Sequence, residues 1–378
     1  MTYKILALDG GGFRGVMSAQ ILREVEQQLQ QKYGPKTRLN DYFDLVAGTS
    51  TGSILASGIA LGIGVDQLLK LYEDHGEKIF PQRIRSIRKF TNVSRGFFPV
   101  FLYPHTSGTE EGLANVLRQQ LQAQPQAKLR PDYPGDRPVT IADIQKPVLL
   151  IPAYNTQNRR VDWFVSNNPK ANSLWYDDKE PWQLSVCSAS APTFFSPYQL
   201  DNAITGQKET YIDGGVAVNN PALVALAHAL FLPYKEPQSG SLELEDIAIL
   251  SIGTGRPIDP ISYQEVKSWG LAQWAMHLSD LFLPAPNDVN SAVCWQLIRG
   301  NHPENSKRVL RLDFALDSQK PEDRDLQTID NPKLYQRFVD RANQYLTQGE
   351  VTLDINQNPI TPKAAIQQFL EHNALEGS

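Results

Sequence analysis

The chain has 378 residues, 41% of them apolar and 20% charged, with a formal net charge of −5. That is enough apolar material for a sizeable core, and the lack of a basic block argues against nucleic-acid binding. Against roughly 150 residues per domain, the length fits one or two domains.

Met1 leads directly into a strand-like run, Tyr3 to Leu8. No basic start, long apolar centre or small-residue cleavage site precedes it, so no secretory signal is expected. No window reaches about 18 uninterrupted apolar residues, so no membrane span is expected either. Cys187 and Cys294 are too few for a disulfide framework and lack metal-type spacing, which fits a reducing interior. The expectation is a cytoplasmic protein, with transient peripheral contact at the inner face of a membrane left open.

The first strand ends at Asp9-Gly10-Gly11-Gly12-Phe13-Arg14-Gly15, and a helix is predicted from Val16 to about Tyr33, where Gly34-Pro35 stops it. A second apolar run, Tyr42 to Ala47, enters Gly48-Thr49-Ser50-Thr51-Gly52 and continues as a small-residue helix to Leu61. A helix follows from Val65 to Ile79. Further strands are predicted at Val148–Ala153, Val161–Val165, Thr210–Ile212, Ile247–Ile252 and Val309–Phe314. Helices are predicted near Leu113–Leu121, after Asn219-Asn220-Pro221, within Trp269–Ile298 and over Pro332–Leu346. Strands alternating with helices, with glycines at strand ends, indicate an α/β fold with a mostly parallel central sheet.

Gly10-x-Gly12-x-x-Gly15 matches the dinucleotide fingerprint, but Asp9 would set a carboxylate beside a pyrophosphate. No second strand ending in an acid follows at the required distance. Three consecutive glycines can instead converge backbone N–H groups on one point, as an oxyanion hole does, with Arg14 adding positive charge. A tight turn without chemistry is the third possibility.

The Gly48–Gly52 segment is a G-x-S-x-G turn with Ser50 at its apex, at the positive end of the following helix. A serine hydroxyl needs a base. His75, His228 and His277 lie in helical patterns and His372 in the tail, while His105 and His302 lie in loops and remain possible bases. Asp213 is the stronger candidate. It ends a strand, and in a parallel sheet the strand ends share one ligand-binding edge. Gly214-Gly215 then turns the chain away beneath it. A turn or N-cap role is the plainer reading for such an aspartate.

Taken together, these motifs resemble the patatin-like phospholipase family, in its bacterial-type form without a secretory signal. Asp9–Gly15 looks like the family's glycine-rich oxyanion loop, Gly48–Gly52 like its nucleophile elbow and Asp213-Gly214-Gly215 like its second catalytic motif. Ser190–Phe195, Asn219-Asn220-Pro221 and Ser251–Gly255 match in kind and order, so the resemblance runs from about residue 3 to 256. It implies a patatin-like three-layer α/β/α catalytic domain over 1–256; residues 257–378 are expected as a helical and strand extension packed on the same domain. The activity implied is lipid acyl hydrolysis of the phospholipase A or galactolipase type, through a Ser50–Asp213 dyad and an acyl-enzyme. Gly10, Gly11, Gly12, Phe13 and Arg14 would form the oxyanion hole, supported by Gly15, Gly48, Gly52, Gly214 and Gly215. No cofactor and no metal is expected, because clustered carboxylates are missing near the motifs, and activity should persist in chelator. The partner would be membrane or micellar lipid. Two rival readings stay open: a nucleotide-binding regulator using Gly10–Gly15, and a catalytically silent storage or binding protein.

An interfacial surface would suit such a substrate. Arg83, Arg85, Arg88, Lys89 and Arg95 interleave with Ile84, Ile87, Phe90, Phe97, Phe98, Phe101 and Tyr103 without an acid. A second apolar group comprises Trp269, Trp274, Leu278, Leu281, Phe282 and Leu283. Both could lie on an anionic bilayer or could be ordinary core-facing helices.

Overall fold

A computed structural model describes residues 2–86, 103–108, 110–166, 174–231, 242–270, 273, 284–300, 302–353 and 358–375. The strands are β1 (Tyr3–Leu8), β2 (Leu45–Gly48), β3 (Lys128–Leu129), β4 (Ile144–Lys146), β5 (Val148–Asn155), β6 (Arg160–Val165), β7 (Tyr198–Asn202), β8 (Gln207–Ile212), β9 (Ile247–Ile252), β10 (Arg256–Pro257), β11 (Val309–Leu312) and β12 (Ala315–Leu316). The helices used below are α1 (Gly15–Tyr33), α2 (Leu39–Tyr42), α3 (Thr51–Ala60), α4 (Val65–Ile79), α5 (Leu113–Gln120), α6 (Pro181–Ala189), α7 (Ala222–Phe231), α8 (Tyr263–Lys267), α9 (Pro284–Arg299), α10 (Tyr335–Gln348) and α11 (Pro362–His372).

Eight strands form the central sheet in the order β11-β9-β1-β2-β5-β8-β7, with β6 also paired to β5. The run from β11 to β5 is parallel, whereas β6 and β8 run antiparallel to β5, and β7 antiparallel to β8. Alternate residues of β1 enter separate cores. Leu6 and Leu8 pack with apolar side chains of α1, α3 and α4, while Ile5 and Ala7 pack with α7 and with Cys294 and Ile298 of α9. A sheet covered on both faces has near-continuous apolar strands, as the fully buried β1 and β9 show. The result is an α/β protein with a mostly parallel sheet between helical layers.

Several predicted boundaries shift. The run read as a strand from Tyr42 begins as the short helix α2, and the strand proper is Leu45–Gly48. The single strand expected at Thr210–Ile212 is half of a hairpin, β7–β8, and α6 and α11 had no predicted counterpart. Residues after 256 share in the sheet: β11 lies parallel to β9, and α10 packs on α1. Both cysteines are buried and free. Among the described residues no helix is long and apolar enough to cross a membrane.

Candidate active site

Ser50 sits between the end of β2 and the first turn of α3, with φ 54° and ψ −123°. For a residue with a Cβ this is strained backbone, costing on the order of 1–3 kcal/mol. The surroundings hold it there. The Ser50 N–H donates to Ser188 Oγ at 2.9 Å, and Ser188 in turn donates to the Pro152 carbonyl at 2.7 Å. The Ser50 carbonyl accepts from Ser53 Oγ at 2.6 Å and from Ser53 N–H at 2.9 Å. A Cβ at Gly48 would overlap the Gly52 backbone, and one at Gly52 would overlap the Leu8 carbonyl, so the elbow closes only with both glycines.

Asp213 is also buried; its carboxylate accepts from Gly215 N–H at 2.7 Å and has the Ser50 side chain as a neighbour that lowers its proton affinity. Burial raises its pKa to about 6, while the Ser50 side chain and the Gly215 N–H work against the rise. Among the described residues, no histidine and no cation is among the groups that set its proton affinity. His105 stacks on Phe195 with ring centroids 5.6 Å apart and places Nε2 2.7 Å from the Ser196 carbonyl, and His302 caps a 3-10 turn.

The route by which Asp213 reaches Ser50 differs from the one expected from a parallel sheet. β8 runs antiparallel to β5, with Ile212 opposite Tyr154, while Leu150 lies opposite Ala47 of β2. β5 therefore extends past the end of β2, and β8 descends along that extension and stops beside the elbow. The end of α6 ties the two together: Ser188 holds Ser50 N–H, and the Ser190 carbonyl accepts Asp213 N–H at 3.0 Å. Sequence reasoning assigned Ser188 no role. Its signal was only the density of small residues before Pro192.

The glycine loop lies against the elbow, since a Cβ on Gly10 would come within 3.1 Å of Ser50 Cβ. The five residues proposed as oxyanion donors are not equally available. Gly10 N–H donates to the Asn219 carbonyl at 3.1 Å, Phe13 N–H to the Ile329 carbonyl at 2.7 Å, and Arg14 N–H to the Gly11 carbonyl at 3.3 Å. Phe13 is a core residue packed edge-on against Tyr72 and Phe80. Arg14 is half-buried at the end of the turn. Among the described residues, the N–H groups of Gly11 and Gly12 have no protein acceptor. The Gly10 carbonyl is pinned from the other side by Thr254 Oγ1 at 3.0 Å and Asn219 Nδ2 at 3.4 Å. Gly12, at φ +60°, packs against Ile329 and has no room for a side chain.

A family model described as "Patatin-like phospholipase" matches residues 6–226, more than half of the chain, and includes the loop, the elbow and Asp213. The chain belongs to the patatin-like phospholipase family. Patatin-like protein 2 of Oryza sativa subsp. indica is 29% identical over 317 residues, covering 75% of this chain and 70% of that protein. Patatin-08 of Solanum tuberosum is 30% identical over 291 residues, covering 72% and 66%. Among solved structures, VipD from Legionella pneumophila aligns with TM-score 0.36 at 13% identity over 90% of this chain and 67% of that one. Human GIVD cytosolic phospholipase A2, in complex with methyl gamma-linolenyl fluorophosphonate, aligns with TM-score 0.37 at 13% identity over 99% and 60%. The assignment rests on the family match and not on these low-scoring overlaps. Membership in this family supports a lipid ester hydrolase.

The expected interfacial stretch is only partly described. Arg88, Lys89, Arg95, Ile87, Phe90, Phe97, Phe98 and Phe101 lie outside the described residues, as do Trp274, Leu278, Leu281, Phe282, Leu283 and His277. Arg85 and Tyr103 are buried, and both bond to Asp330, at its carbonyl and its carboxylate respectively. Arg83 pairs with Glu111. These three are therefore engaged within the protein. Among the described residues no cluster of His, Cys, Asp and Glu could hold a metal ion.

Proposed function

We propose that the protein hydrolyses carboxylic esters of lipids through a Ser50–Asp213 dyad. The observation that carries this reading is a strained Ser50 beside a buried carboxylate, Asp213, whose affinity for a proton is raised by burial and lowered by the Ser50 side chain. Asp213 takes the Ser50 proton as Oγ attacks the ester carbonyl, and the oxyanion is met by Gly11 and Gly12 N–H at the mouth of α3. Collapse breaks the bond to the leaving alcohol, which receives the proton back from Asp213. Water then enters, gives a proton to Asp213 and attacks the acyl-serine. Release of the fatty acid returns that proton to Ser50. An ordinary aspartate is too weak a base near neutral pH, and burial brings Asp213 closer to the operating range.

The nucleotide reading is less well supported. The loop that would wrap a pyrophosphate is filled by Thr254, Asn219 and Ile329, and it begins at the carboxylate of Asp9. Fatty-acid release from phosphatidylcholine and galactolipid vesicles, measured for the wild type and Ser50→Ala, tests the proposal. Release by the wild type and at least ~10³-fold less by the variant is expected. Equal release by a folded Ser50→Ala protein would overturn it, and the preferred vesicle would give the head-group class.

A further inference from the structure

We infer that Arg311, which lies beyond the segment matched by the family model, is a positioning residue for the oxyanion loop, acting through Asp9 to fix where the Gly11 and Gly12 N–H groups stand above Ser50. The inference rests on the hydrolase reading above.

Asp9 is the residue between β1 and Gly10, and it is almost fully buried. Arg311 of β11 grips it with a two-pronged fork, Nη1 to Oδ1 at 2.9 Å and Nη2 to Oδ2 at 2.7 Å. The guanidinium is itself anchored. Nη1 also donates to Ser251 Oγ at 2.8 Å and Nη2 to Asp313 Oδ2 at 2.9 Å. Asp313 in turn accepts from the backbone N–H groups of Gly255 at 3.0 Å and Phe314 at 3.1 Å. Asn287 of α9 reaches Asp9 Oδ2 at 3.5 Å. The root of the glycine loop is thereby tied to two neighbouring strands of the sheet. Its far end is tied by Phe13 N–H to the Ile329 carbonyl. Both anchors come from the last third of the chain, and the three glycines span the interval between them.

A buried ion pair adds little stability over well-packed apolar groups of the same size. A planar fork does supply direction, because both donors must meet both carboxylate oxygens in one plane. Direction is what a glycine loop lacks, having no side chains of its own. An N–H displaced by a fraction of an ångström contributes less to a developing oxyanion while leaving substrate binding unchanged.

Arg311→Lys keeps the charge but replaces the fork with a single ammonium that cannot span Asp9 and Asp313. Its kcat and KM on a soluble short-chain nitrophenyl ester are measured beside its affinity for an alkyl trifluoromethyl ketone, whose hemiketal oxygen occupies the oxyanion position. The expected result is kcat lower by about tenfold or more with KM within about twofold. The ketone should weaken by the factor lost in kcat/KM. Asp9→Asn, which keeps the side-chain shape, is measured in parallel and decides the matter if Arg311→Lys does not fold. Wild-type kcat in the folded variant, a loss carried by KM alone, or a loss without weakening of the ketone would each overturn the inference. A wild-type protein with no Ser50-dependent turnover would instead sink the hydrolase reading itself.

Discussion

Asp9 and Asp213 each follow a strand of one sheet and are each nearly sealed from solvent, yet they stand in opposite chemical settings. In the loop after β1, Asp9 is met by the Arg311 guanidinium of β11, which is backed by a second carboxylate and a hydroxyl. In the loop after β8, the groups that oppose the rise in Asp213's proton affinity are, among the described residues, the Ser50 side chain of the elbow and the Gly215 N–H. Burial raises the pKa of both carboxylates, to about 6 in each case; at Asp9 the rise is opposed by a cation, Arg311, and at Asp213 by neutral donors. In the proposed reading the two buried carboxylates serve different ends, Asp9 as a rigid anchor and Asp213 as a base.

Neutralising the two regions should therefore change stability in opposite directions. Arg311→Met strands the Asp9 and Asp313 carboxylates, and a loss of about 3–5 kcal/mol is expected. Asp213→Asn should do the reverse. The folded-state value near 6 lies above the ordinary 3.8, so the folded protein holds this proton more tightly than the unfolded chain. The cost of ionising Asp213 is absent below about pH 4, grows through the window up to about pH 6 and is fully present above it. At pH 8, Asp213→Asn should recover at most ~3 kcal/mol, and the gain should fade towards pH 4. Melting curves of both variants at pH 8 and pH 4 check the pair. A destabilised Asp213→Asn at pH 8 would remove the distinction drawn here.

A smaller effect sharpens the neutral side. Ser188→Ala leaves the Ser50 N–H without its acceptor at 2.9 Å, and a cost of about 1–3 kcal/mol in stability is expected. Because that bond holds the elbow, kcat should fall about tenfold with little change in KM. Steady-state kinetics on a short ester, with a melting curve alongside, separates the two effects.

Much of the candidate site was legible in the sequence, because its residues come in local motifs. Three glycines after an apolar strand, a serine between glycines and an Asp-Gly-Gly turn announce themselves within a few residues. What escaped notice depends on distance in the chain. Arg311 looks like one charge in a short late strand until β11 is laid beside β9. The hairpin β7–β8 was hard to read because Gln199, Asp201, Lys208 and Glu209 dilute its apolar residues, with one face largely exposed. The helix α6 is buried on nearly all sides and so has no polar stripe to mark its period. The antiparallel β8 also changes how Asp213 meets the elbow. Asp213 stands out by its motif, but its strand runs antiparallel to its neighbour and reaches the elbow from the other direction.

The central claim is that Asp213, with no histidine, activates Ser50. The most direct measurement is the rate at which a fluorophosphonate labels Ser50 in the wild type and in Asp213→Asn between pH 4.5 and pH 9. The wild-type rate should rise about tenfold per pH unit and level off near the Asp213 value of about 6. The variant should label at least ~10²-fold more slowly at the plateau and lack that rise. Labelling of Asp213→Asn at the wild-type rate would contradict the account.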